Sequence, residues 1–183
     1  MKFLRNLLVL SFIFLSFSVS GVDAQSNRID ASQSTLERKV FKELIKLPYY
    51  GVFDHIAFQV DGNNVTLFGK VANARNKKDA ERWVEDIKGV GSVVNRIEIL
   101  PLSGFDNSIR YQTLRTIANS GGLYRYFWEP NPSVRIIVKN GHVTLEGYVA
   151  NRGDYNLMNI LANGVSGVFS VQNNLIVGKD RDR

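Results

Sequence analysis

The sequence predicts an α+β protein made of two tandem copies of a small α-β-β-α-β unit, each a three-stranded sheet with two helices on one face. Three observations carry this. Residues 65 to 73 read VTLFGKVAN and residues 143 to 151 read VTLEGYVAN, identical at seven of nine positions. Sliding the chain by 78 residues then aligns far more than this phrase, without a gap: Thr35-Leu36 on Thr113-Leu114, Gly89-Val90 on Gly167-Val168, Asn95 on Asn173. Within each copy, apolar spacing changes in the same order, from helical to alternating and back.

The elements of the first unit follow in order. Ser34 and Glu37 have capping-box spacing, and Leu36, Val40, Leu44 and Leu47 recur on one helical face until Pro48. Ile56, Phe58 and Val60 alternate with Ala57 and Gln59, and after Asp61-Gly62-Asn63-Asn64 the alternation resumes with Val65, Leu67, Gly69 and Val71. These are two strands joined by a turn that tolerates positive φ. Asn73 can cap a second helix carrying Ala80, Trp83, Val84 and Ile87, which Gly89 stops; Val93, Asn95, Ile97 and Ile99 read as a third strand. In the second unit the order is a helix over about 107 to 119, strands near 134 to 138 and 143 to 149, a helix with Met158, Leu161, Ala162 and Val165, and a strand from 169 to 177.

Domain limits follow: a signal peptide over 1 to 24, a loose segment over 25 to 33, units over 34 to 100 and 106 to 178, a linker over 101 to 105, and a loose tail over 179 to 183. Lys2 and Arg5 precede the apolar run from Leu7 to Phe17, and small residues lie before Gln25, as in a cleavable secretory signal; an uncleaved anchor is the alternative. Units of this size have marginal cores, so the two copies are expected either to pack together or to gain stability from partners, weak homo-oligomerisation included.

Composition narrows function. The chain has no cysteine, which excludes thiol catalysis, thiolate metal sites and lipid attachment through an N-terminal cysteine. Without residues 1 to 24 it carries 21 basic against 16 acidic side chains. That mild excess suits anionic head groups or acidic partners, whereas export and the lack of a basic-aromatic motif argue against nucleic acid.

Two tandem units, each with V-x-L-x-G-x-V on its middle strand and G-V-x-x-V before its last, resemble the BON domain family; VTLFGKVAN with GVGSVVNRI and VTLEGYVAN with GVFSVQNNL carry the likeness. The resemblance implies a non-enzymatic binding module of the bacterial envelope, periplasmic or secreted, tied to osmotic or envelope stress. The expected partner is an anionic phospholipid surface. An adaptor or chaperone-like role toward another envelope protein is the alternative.

Catalytic chemistry is hard to find. His55 opens a strand, His142 lies in a turn, and neither has a partner at metal spacing or a nucleophile beside it, so both read as surface or edge histidines, with no metal or cofactor expected. The acids of the second helix alternate with bases, as on a solvated face, and do not recur in the second unit.

The candidate contact surface lies in SGGLYRYFWEPNP, residues 120 to 132, where Leu123, Tyr124, Arg125, Tyr126 and Trp128 put aromatics beside a cation. Phe127 and Trp128 align with Tyr49 and Tyr50, and that recurrence favours core closure for the pair, leaving Tyr124, Arg125 and Tyr126 as the better contacts. A few basic residues at an anionic surface contribute on the order of 1 kcal/mol each, about millimolar binding, so stable attachment needs aromatic insertion or several copies. Gly69, Gly147, Gly89 and Gly167 read as structural; the first two fall in the buried row of their strands, where a missing side chain lets a helix approach or the strand bend.

Overall fold

The computed structural model describes residues 22–128 and 130–178, with side chains from Gln33 onward. The signal peptide and the tail over 179 to 183 therefore lie outside the described residues, save the last positions of the former. The elements run α1 (Val22–Leu44), β1 (His55–Asp61), β2 (Asn64–Val71), α2 (Ala74–Glu85), β3 (Ser92–Ile99), α3 (Gly104–Ala118), β4 (Val134–Lys139), β5 (His142–Val149), α4 (Arg152–Asn163), β6 (Ser170–Asn173) and β7 (Ile176–Val177).

Each unit has the predicted α-β-β-α-β order. In the first, β2 is central, antiparallel to β1 and parallel to β3, with α2 as the crossover that a parallel pair requires. The core is one cluster: Leu36, Val40 and Leu44 from α1 and Ala80 and Val84 from α2 close over the inward row of the sheet. The second unit repeats this around Ile109, Ile117, Ile136, Leu145 and Met158. Its third strand is split into β6 and β7, both parallel to β5, so its sheet has four strands.

Boundaries differ from the sequence reading in three places. The helix α1 is continuous from Val22, so Ser34 sits inside it instead of capping it, and the segment over 25 to 33 is helical backbone. Ser103 caps α3, its Oγ accepting from the Asp106 N–H at 3.1 Å, so Gly104 and Phe105 belong to the helix and the connection shortens to 101–103. The helix α2 ends at Glu85, four residues before Gly89, through a turn in which Val90 N–H donates to Ile87 O.

The repeated phrase resolves into a strand, a pinch and a cap. Its last residue caps the following helix in both copies: Asn73 Oδ1 accepts from Arg75 N–H at 3.0 Å, and Asn151 Oδ1 from Asp154 N–H at 2.9 Å. Its glycine admits a neighbouring strand, not a helix. A Cβ at Gly69 would lie 2.1 Å from the His55 carbonyl oxygen, and one at Gly147 2.0 Å from that of Ser133, with φ at +121° and +114°. Another asparagine recurs: Asn95 Nδ2 donates to Lys77 O and its Oδ1 accepts from Ile97 N–H, while Asn173 makes the equivalent bonds with Tyr155 and Leu175. That side chain ties the third strand to the second helix in each unit.

The units pack against each other. Residues 51–54 of the first unit lie along the outer edge of β4, where Ile136 N–H donates to Val52 O at 2.8 Å. Val52 and Phe53 pack onto the second unit's core, and Phe53 meets Tyr111 of α3 edge to face at 5.1 Å. The Arg135 guanidinium donates to Gly51 O at 2.8 Å and lies 4.3 Å from the Tyr50 ring centroid. Glu98 and Lys139 form an ion pair across the same seam, and that bond holds the Glu98 carboxyl below the ordinary range.

Candidate functional site

The 120–132 segment leaves α3 through Gly121-Gly122 into a short 3₁₀ turn, Leu123–Tyr126. It separates the five candidate side chains into two groups. Leu123 is fully buried in the second unit's core, as is most of Tyr126. The Tyr126 hydroxyl donates to Asp154 Oδ2 and accepts from Ala150 N–H at 2.9 Å, and Arg125 pairs with the same carboxylate. Asn151 Nδ2 adds a further bond to Asp154 at 2.9 Å. Asp154 thus gathers the turn, the strand end and the helix start, so Leu123 and Tyr126 are packing residues and Arg125 is half committed to an ion pair.

Tyr124 and Trp128 form the second group. Tyr124 is 58% exposed and Trp128 83%, and their rings meet edge to face at 6.5 Å. Phe127 packs on the core while Trp128 does not, so the expected core closure holds for one member of the aligned pair. In the first unit the roles are exchanged. Tyr49, the counterpart of Phe127, is half exposed and bonds Arg75; Tyr50, the counterpart of Trp128, is packed on its core beneath Arg135. The swap was hidden in the sequence because the cation that draws Tyr50 inward belongs to the other unit.

A smaller aromatic patch lies around Phe105 and Phe169, whose rings are 5.9 Å apart. The His142 ring is edge-on to Phe169, and its Nδ1 is 2.7 Å from Ser170 Oγ, which keeps this histidine at the surface as expected. Gly91 is the first-unit counterpart of Phe169, so this patch belongs to the second unit alone.

His55 opens β1, an edge strand of the first sheet, as its position suggested, but it is not fully exposed. It is half-buried at the seam between units, near Glu146 and Arg135. Burial lowers its pKa below the ordinary histidine value, Glu146 partly opposes this, and Arg135 reinforces it. The seam residues Arg135, Tyr50 and Phe53 also escaped the sequence reading, since nothing local marks a contact between positions some 80 residues apart.

Among the described residues no group of three metal-ligating side chains converges, and no helix is long and apolar enough to cross a membrane. Two hollows among the described residues are shallow, one between α1 and α2 lined by Lys42, Trp83 and Asp86, and one on α3 beside Tyr111. Neither holds convergent catalytic groups.

Two solved structures of CdsD, a structural protein of the type III secretion system of Chlamydia trachomatis, are similar to this chain at 13% identity. The C-terminal domain aligns over 79% of this chain and 98% of its own, with a TM-score of 0.30. The second aligns over 80% and 94%, with a TM-score of 0.28. No curated protein matches the chain. The family model described as BON domain matches twice, over residues 32–101 and 106–179, on the two units whose strands, pinched glycines and helix caps repeat, and the chain belongs to the BON domain family.

Proposed function

We propose that this is a non-enzymatic, exported envelope protein that binds anionic phospholipid surfaces and so supports the envelope under osmotic or other stress. The observation that carries this reading is the Tyr124 and Trp128 pair, two large amphipathic rings held outward by a turn whose other side chains are anchored. A rigid mount matters because rings already ordered in solution lose little freedom on insertion at the head-group level. Arg125 stands beside them, but Asp154 takes much of its charge, so long-range attraction rests on the net positive charge of the whole chain.

Co-sedimentation with vesicles containing phosphatidylglycerol tests it. Retention is expected at low salt, decreasing as salt screens the charge. Tyr124→Ala with Trp128→Ala is expected to lower retention by roughly ten-fold or more, equivalent to about 1.4 kcal/mol. Equal retention by the double variant, or none by the parent at low salt, overturns the reading.

A further inference from the structure

The contact between domains has two halves, and the repeat supplies each half twice. The donor half is the turn before the first strand of the first domain, where Val52 O accepts a bond and Tyr50 lies under a cation. The receptor half is the outer edge of β4, with Ile136 N–H and Arg135. Shifting by 78 residues turns the donor into Trp128 and Pro130 and the receptor into Phe58 and Ala57. Inside one chain these second halves are unused: Trp128 and Pro130 are exposed. Phe58 holds the register against Leu67 that Ile136 holds against Leu145, which aims its N–H at the outer edge of β1; among the described residues it has no acceptor there.

The chemistry of the unused halves points to burial. Three positions that are polar or cation-covered at the inner seam are exposed and apolar on the outer ends: Phe68 (41%) replaces Glu146, Ile176 (55%) replaces Glu98, and Trp128 replaces Tyr50. Volumes also trade sensibly, since Tyr50 under Arg135 becomes Trp128 over Ala57, a larger ring against a smaller side chain.

We propose that copies of this chain associate head to tail, Trp128 and Pro130 of one copy docking on the outer edge of β1 in the next. The contact is heterologous: donor and receptor are different surfaces, so association continues to a closed ring or an open filament and does not stop at a dimer. A strand edge that offers an N–H and apolar neighbours is a ready template for such pairing. The docked state and the vesicle-bound state compete for Trp128, whereas Phe68 serves association alone.

Sedimentation velocity of the full chain over a concentration series up to about 1 mM tests this, at the weak end of specific association. The parent is expected to grow past dimer. Trp128→Ser and Phe68→Glu, both at exposed positions, are each expected to weaken association at least ten-fold, with melting temperature as the check on folding. Their mixture decides the geometry. Trp128→Ser keeps an intact receptor and Phe68→Glu an intact donor, so together they must form a one-to-one dimer that grows no further. Retention of Phe68→Ser, which leaves the net charge unchanged, is expected to match the parent on anionic vesicles at a concentration where the parent is monomeric, which separates this contact from membrane binding. A parent that stays monomeric or stops at dimer, or a variant mixture that does not pair, overturns the proposal.

Discussion

Arg135, in the first strand of the second domain, stacks its guanidinium 4.3 Å from the ring centroid of Tyr50 in the first domain while donating to the carbonyl oxygen of Gly51. One side chain thereby fixes both the aromatic and the backbone of the turn that leads into β1. The turn in turn seats Val52 and Phe53 against the second domain's core. The two small domains therefore share apolar surface that neither could bury alone.

Removing that side chain is expected to uncouple the domains. Arg135→Ala loses a charge-assisted hydrogen bond and a cation–π contact, together about 2 kcal/mol at this largely buried position. In calorimetry the parent is expected to unfold in one cooperative transition, and the variant in two or in one markedly broadened. A single transition at the parent's temperature would show that the coupling does not depend on Arg135.

The repeated glycines give a sharper expectation. Gly69→Val and Gly147→Val each force a Cβ against a carbonyl oxygen of the adjacent strand, at a φ that β-branched residues avoid. Strain of that kind costs about 1–3 kcal/mol before the clash is counted, so a loss above about 3 kcal/mol is expected in the domain concerned. Denaturant titration reads it. An unchanged midpoint in either variant would mean that the strand pair can separate there at no cost.

Much of this was legible in the sequence for a physical reason: local rules act locally. The duplicated phrase, the alternation in β2 and β5, and the asparagine that caps α2 all act within a few residues, and the structure bears them out. The start of α1 was misread because Ser34 and Glu37 have capping-box spacing, yet the backbone upstream is also helical, so nothing is left there to cap. The need for glycine at 69 and 147 was visible, but not what approaches it, because a close strand and a close helix leave the same mark. The contact candidates were blurred for another reason: Tyr126 and Trp128 look alike in the sequence, and what parts them is Asp154, a residue of α4 that binds one and not the other.

Asp106 is fully buried at the first turn of α3, and its two oxygens accept from Asn140 and Gly141 N–H, both at 2.8 Å. Arg110, one turn on and also buried, donates to Val138 O at 2.7 Å. Burial lowers the Arg110 pKa, and Asp106, then Asp54, oppose that. Asp106→Ala is expected to cost about 2–4 kcal/mol, because it leaves two turn donors without their acceptor and removes a charge that balances buried Arg110. Asp106→Ala with Arg110→Met should recover part of the loss. A single variant as stable as the parent would show that water enters to replace the carboxylate.

His55 makes the seam sensitive to acid. Its folded pKa is depressed, by burial first, so between the folded and unfolded values the unfolded chain binds more protons. The stability tied to neutral His55 is therefore complete above about pH 6.5, the ordinary histidine value, and declines as pH falls below it, levelling off once the folded histidine also protonates. Glu146 softens the effect because it welcomes the charge, and Arg135 sharpens it. The parent is expected to lose melting temperature from pH 7 to 5 more steeply than His55→Gln, which has nothing to titrate there. Near-parallel curves for the two proteins would mean that the seam is hydrated enough for His55 to charge in place, and that other groups set its response to acid.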